Sequence, residues 1–263
     1  MTEVECFGVD YERYALGKLL GRLTRKYDIK NVLEIPALGV KAMPSIYSLG
    51  FGMTGCDVTL MNGNESSISV WKKLGLENRV TFKRCDNIEH TSLKENSFDF
   101  VWNFAVFPTF QNPRAVLAEM KRVSSKYVAV FSVNGYNVGF PIHTLVHKFT
   151  KIPWTHGNKQ LNFPDKVEQL FTENGLENIE IGVVDCPPWP DSLGFRDVRL
   201  HRSNIDLNTV EWHSNLIDYI QKNQIPFWIK AVYSWERFPV PKLLKFPYSH
   251  IFYVLGSLSG SNK

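Results

Sequence analysis

The sequence has no CxxC or CxxH pair: its four cysteines, Cys6, Cys56, Cys85 and Cys186, are scattered along 263 residues. That spacing provides neither a zinc knuckle nor a disulfide framework, and a reducing cytoplasm is the expected compartment. No apolar run approaches the ~18 residues needed to cross a bilayer. The opening MTEVECFGVDYERYALGKLL is acidic and lacks a signal core. An excess of one charge is missing too. Lys and Arg number 30 against 26 Asp and Glu, a net +4 with no basic block, so composition gives a nucleic-acid partner no support. What is present, 44% hydrophobic and 21% charged residues, is the make-up of a globular chain.

Apolar residues Tyr14, Leu16, Leu19, Leu20 and Leu23 recur at helical spacing and predict an amphipathic helix over about residues 9–27. Asn31 to Ile35 reads as a buried strand stopped by Pro36. Residues 42–54 turn helical, but Pro44, Gly50 and Gly52 keep that helix short or irregular. Asp57 to Met61 reads as a second strand, followed by the turn Asn62-Gly63-Asn64 and a helix over 65–74. Strands at 80–83, 98–103 and 127–133 follow, with a helix over 113–123 before the last. Five strands separated by helical segments imply right-handed crossovers and a parallel sheet covered on both faces, an α/β core. A helix over 164–174 capped by Gly175, and strands at 179–184 and 250–258, complete the pattern. The intervening 186–247 is too long for a plain connection and reads as helices laid over the sheet, with 209–222 the clearest.

This order resembles the class I S-adenosylmethionine-dependent methyltransferases, the small-molecule branch above all. The resemblance implies one Rossmann-like domain over 1–263, with a seven-stranded sheet, mostly parallel, whose last strand runs antiparallel. Residues 9–133 would form the cofactor-binding half, and 134–170 with 186–247 the segments that shape the substrate site. It rests on VLEI at 32–35, RCDN at 84–87, SFDFVWNFAVF at 97–107 and LFTENGLENIEI at 170–181. The implied cofactor is S-adenosylmethionine. Glu34, Pro36, Gly39, Asn62, Asp86, Asn87 and Asn103 are its expected contacts, with Asp86 toward the adenine and Asn62 at the ribose position.

Two family features are altered. The glycine-rich turn after the first strand, where bare backbone approaches the cofactor, is here IPALGV, with Pro36, Leu38 and Val40 in the glycine registers. The acid that ends the second strand is replaced by Asn62, unless the strand ends at Asp57, a register that wastes the apolar run Val58 to Met61.

For the acceptor side, Tyr136, His143, His147 and His156 fall where the family often places acceptor-contacting groups, and Tyr136, His143 and His147 are the catalytic candidates. His143 and His147 share one face if their segment is helical. A metal is not expected, because there is no HExxH pattern and no clear third ligand. In DCPPWPDSLGFRDVRLHR at 185–202, Trp189 with Arg196 and Arg199 forms a candidate substrate site, the arginines able to clamp a carboxylate or phosphate. The reading is methyl transfer to a small organic molecule by in-line displacement, needing positioning more than a fixed catalytic motif. Two alternatives stay open: a binding or assembly module that has lost catalysis, and a crevice that holds a different nucleotide. The aromatic-rich insertion suits a substrate cap, core packing or a homo-oligomer interface equally.

Overall fold

The structure is a computed structural model that describes residues 2–4, 7–38, 43–189 and 211–259. Its first strand, β1 (Thr2–Val4), pairs parallel with β8 (Glu211–His213) in a small separate sheet. The main sheet is built from β2 (Asn31–Glu34), β3 (Asp57–Met61), β4 (Val80–Lys83), β5 (Phe98–Phe104), β6 (Ser124–Val133), β7 (Glu177–Val184) and β9 (Ile251–Ser257). Their spatial order is β4-β3-β2-β5-β6-β9-β7. Strands β2 to β6 are parallel, and β9 enters antiparallel to both β6 and β7. The expected seven-stranded α/β sheet is therefore present, with its final strand reversed.

Helix α1 (Phe7–Tyr27) lies on one face. Tyr11, Leu16, Leu20 and Leu23 are buried there with Val32, Phe100 and Trp102, because a 3.6-residue period returns every third or fourth side chain to the sheet. Each such side chain contributes about 1.5–3 kcal/mol by leaving water. The helix ends where Asp28 turns to φ 45° and the Ile29 amide reaches back to the Thr24 carbonyl. The opposite face is covered by α4 (Pro113–Val123) and α6 (Pro164–Glu173), through Val116, Leu117, Met120, Val167 and Phe171. Helix α4 starts as the sequence dictates: the Asn112 side chain accepts from the Ala115 amide and Pro113 takes the first helical position.

Three expectations change. The helix anticipated over 42–54 is reduced to α2 (Leu49–Gly52); Ser45, at φ 58°, is not in a helical conformation. Residues 65–74 form a 3₁₀ turn leading into α3 (Ile68–Lys73). The helix anticipated over 209–222 is instead β8 followed by α7 (Asn215–Gln221), because residues 211–213 find a strand partner in β1. With α8 (Phe227–Glu236), α7 packs on the α1 side, where Leu216, Ile217 and Ile229 join the core. The remaining helix, α5 (Gly139–Thr150), follows β6. Among the described residues no helix is long and apolar enough to cross a membrane.

Candidate functional site

The chain leaves β2 for β3 and β4 on one side and then for β5 and β6 on the other. The two halves part between β2 and β5, and an open parallel sheet forms its ligand crevice at the carboxyl ends of such a switch point. Glu34 ends β2 there and is fully buried. Ser48 Oγ donates to Glu34 Oε2 at 2.6 Å and itself accepts from Trp102 Nε1 at 3.0 Å, a chain that ties the strand to the loop above it. Burial pushes the Glu34 carboxyl up to about 7, against the pull of the Ser48 bonds and the Arg13 guanidinium. Asn103, also fully buried, donates from Nδ2 to the Ile35 carbonyl at 2.8 Å. Glu34 Oε1 and Asn103 Oδ1 have no hydrogen-bond partner among the described residues.

The turn after β2 is drawn into the fold. Pro36 is buried behind a cis Ile35–Pro36 bond, and the Ala37 amide donates to the Met61 carbonyl at 2.7 Å. Ser45 Oγ donates to the Ala37 carbonyl at 2.6 Å and accepts from the Asn64 amide at 2.7 Å, joining the loops after β2 and β3. Tyr47 stacks on Phe104 with 4.1 Å between ring centroids. Gly39 lies outside the described residues, as do Arg196 and Arg199.

Asn62 stands directly after β3 at φ 57°. Its side-chain amide donates to the Cys85 carbonyl and accepts from the Cys85 amide, both at 2.9 Å. This alters the reading of Asn62 as a ribose contact, because the loop after β4 already takes both ends of its amide. Asp57 is at the opposite end of β3, paired with Arg79 at 2.8 Å, so the alternative register places its carboxylate away from the crevice. Asp86 and Asn87 are exposed just after β4, and Asn87 Oδ1 accepts from the Glu89 amide.

The acceptor-side candidates separate. Tyr136 is half-exposed, with its hydroxyl 3.3 Å from Asp165 Oδ1 and its ring edge-on to Phe163. Burial and the Asp165 carboxylate raise its pKa, which does not favour a base. Trp189 sits edge-on to Tyr11, 6.1 Å between centroids, on the α1 side. His143 and His147 do share a helical face, on α5, with their Nε2 atoms 3.1 Å apart. The expectation that they lack a third ligand is corrected: the chain after α5 folds back and brings His156 to them, one ring nitrogen of each lying within 4.8 Å of the others.

A family described as "Methyltransferase domain" matches residues 42–128 of this chain. No curated protein matches it. Among solved structures, a SAM-dependent methyltransferase from Thermotoga maritima aligns over 94% of this chain and 91% of its own, at 13% identity and a TM-score of 0.52. The chain has the class I methyltransferase fold. The same fold relates it to magnesium protoporphyrin IX methyltransferase from Synechocystis PCC 6803 with bound SAH, over 67% of this chain and 78% of that one, at 13% identity and a TM-score of 0.50. It also relates it to the [4+2]-cyclase SpnF, over 92% and 80% respectively, at 12% identity and a TM-score of 0.51. In this methyltransferase fold the sequence reading missed Ser45 and Ser48, which carry no local sequence pattern, and the role of Trp102, which lies in the quoted strand motif but bears on the crevice through its tertiary bond to Ser48.

Proposed function

We propose that this protein transfers the methyl group of S-adenosylmethionine to a small organic acceptor. The observation that carries the reading is the switch point between β2 and β5, where Glu34 and Asn103 hold buried acceptor atoms without a partner among the described residues. Those atoms, with Asp86 beyond β4, are acceptors of the type that a nucleoside's hydroxyl and amine donors would pair with. Glu34, Asn103, Asp86 and Asn87 would hold the cofactor, together with backbone of the turn at Pro36 and Gly39. The bound cofactor supplies an already activated methyl group. The chain's task is then to align the acceptor and to exclude water, for which the segments 134–170 and 186–247, with Trp189, Arg196 and Arg199, are the proposed surroundings. His143, His147 and Tyr136 are the proposed acceptor-side groups.

A second reading, a binding module or a different chemistry in the same crevice, is favoured by the commitment of the Asn62 amide to Cys85. The SpnF neighbour, described as a cyclase, illustrates that the fold does not dictate the reaction. Calorimetric titration with S-adenosylmethionine and its demethylated product separates the readings. Saturable binding, weakened about 5- to 150-fold by Asp86→Ala as expected for a lost bond worth about 1–3 kcal/mol, supports methyl transfer. Absence of heat at millimolar ligand overturns it.

A further inference from the structure

Three imidazoles meet beside the loop after β5, and the chain invests structure in holding them there. His143 and His147 are one turn apart on α5. The helix stops at Lys151, which takes φ 59°, and the following residues return along it. Gly157, at φ 74°, lies so close to Pro108 that a Cβ on it would stand 2.0 Å from the Pro108 carbonyl oxygen. The next residue, Asn158, donates its amide to the same carbonyl at 2.7 Å. Trp154 Nε1 donates to the Gly157 carbonyl at 2.9 Å, and the indole packs edge-on against His156, 4.8 Å between centroids. The glycine and the tryptophan thus fix His156 against the two histidines of the helix.

The orientation of His147 is set from outside the cluster. Its Nδ1 lies 3.1 Å from the Ile152 carbonyl oxygen, which can only accept. His147 therefore donates from Nδ1 and turns the lone pair of Nε2 toward His143. Metal-ligating histidines are held in this way, with the second ring nitrogen bonded to a carbonyl or carboxylate. Two imidazole nitrogens on one tetrahedral zinc at about 2.0–2.1 Å stand about 3.3 Å apart. The 3.1 Å between the Nε2 atoms of His143 and His147 is close to that value, and the third nitrogen, within 4.8 Å, needs a shift on the order of 1 Å.

We propose that His143, His147 and His156 bind one divalent transition-metal ion, zinc in the first instance. Nitrogen donors without carboxylates disfavour magnesium and calcium, which take oxygen ligands. Three protein ligands leave a fourth position for water or another exogenous group, the arrangement of reactive rather than structural zinc. On binding, His143 gives up its Nε2 proton, to its own Nδ1 or to solvent, so that a neutral imidazole presents a lone pair to the ion. Lys159, whose Nζ lies 4.3 Å from the centre of the Trp154 ring, is a cation at the edge of the cluster and works against the ion's charge.

The test uses the untagged full-length protein, stripped with a chelator and titrated with Zn²⁺ by calorimetry and with Co²⁺ by visible absorption, in the absence of any methyl donor. One ion per chain is expected, with the intense ligand-field bands of four- or five-coordinate cobalt. His143→Gln and His156→Gln are each expected to weaken binding at least roughly 100-fold. Circular dichroism on both variants verifies the fold, and Cys85→Ser, which removes the partly exposed thiol, is expected to leave affinity unchanged. Absence of binding at about millimolar Zn²⁺, or equal affinity in wild type and both histidine variants, overturns the proposal. Because the titration needs no cofactor, its failure leaves the methyl-transfer reading intact, and the reverse also holds.

Discussion

Replacing Glu34 by glutamine is expected to change how stability depends on pH, and the sign follows from burial. In the unfolded chain the carboxyl ionises near its ordinary 4.5, whereas in the folded protein burial pushes it up to about 7. Between those values the folded state holds the proton more tightly, so stability from this group is fully present below 4.5 and is lost as pH rises through 7. A gap of about 2.5 units at 1.36 kcal/mol each amounts to about 3 kcal/mol, of which about 2.5 kcal/mol falls between pH 5 and 8. Glutamine keeps an oxygen to accept from Ser48 Oγ and has no charge to bury. The difference in unfolding free energy between Glu34→Gln and wild type, from urea melts at pH 5 and 8, should therefore move in the variant's favour by about 2.5 kcal/mol as pH rises. An unchanged difference at the two pH values would refute the reasoning, because it would mean that Glu34 is ionised and solvated across that range.

Glu119→Ala should destabilise the protein by about 3 kcal/mol in urea melts, since this buried carboxylate accepts from Arg122 Nη2 at 2.7 Å and from the Thr91 amide at 2.9 Å. Burial raises the Glu119 pKa, but the Arg122 and Thr91 bonds outweigh it and leave the group below its ordinary value. Its contribution is present above the unfolded pKa and lost as pH falls, so the penalty of the substitution should shrink in acid. Asn62→Asp introduces an acid at the end of β3 but loses the donor to the Cys85 carbonyl. If holding Cys85 is its role, thermal unfolding shows a loss of about 1–3 kcal/mol and calorimetry shows no gain in cofactor affinity. Gly157→Ala meets both a left-handed backbone and the Pro108 carbonyl, and should weaken Zn²⁺ binding in the same titration without touching a histidine.

The strands and the crossover helices were legible because their residues carry local periodicity. Leu16, Leu20 and Leu23 repeat at helical spacing, and Val58 to Met61 form a short apolar run between breakers. Gly175, expected to cap α6, does so at φ 67°. The helix expected over 209–222 failed for a complementary reason: residues 211–213 pair with a strand some 200 positions away, and no local pattern encodes a distant partner. Asn62 shows the same limit at the site. Its sequence neighbours mark a turn, yet what its amide does was decided by Cys85, which the β3–β4 pairing sets beside it.

The amino-acid order alone determined a doubly covered α/β sheet, since hydrophobic period and breakers act within a few residues. It also placed His143 and His147 on one helical face, because that requires only four residues of spacing. Only the tertiary structure brought His156 to that pair and set Ser48 over Glu34. Both depend on loops whose paths are fixed by hydrogen bonds and steric contacts with segments remote in the chain, among them the Pro108 carbonyl and the Trp102 indole.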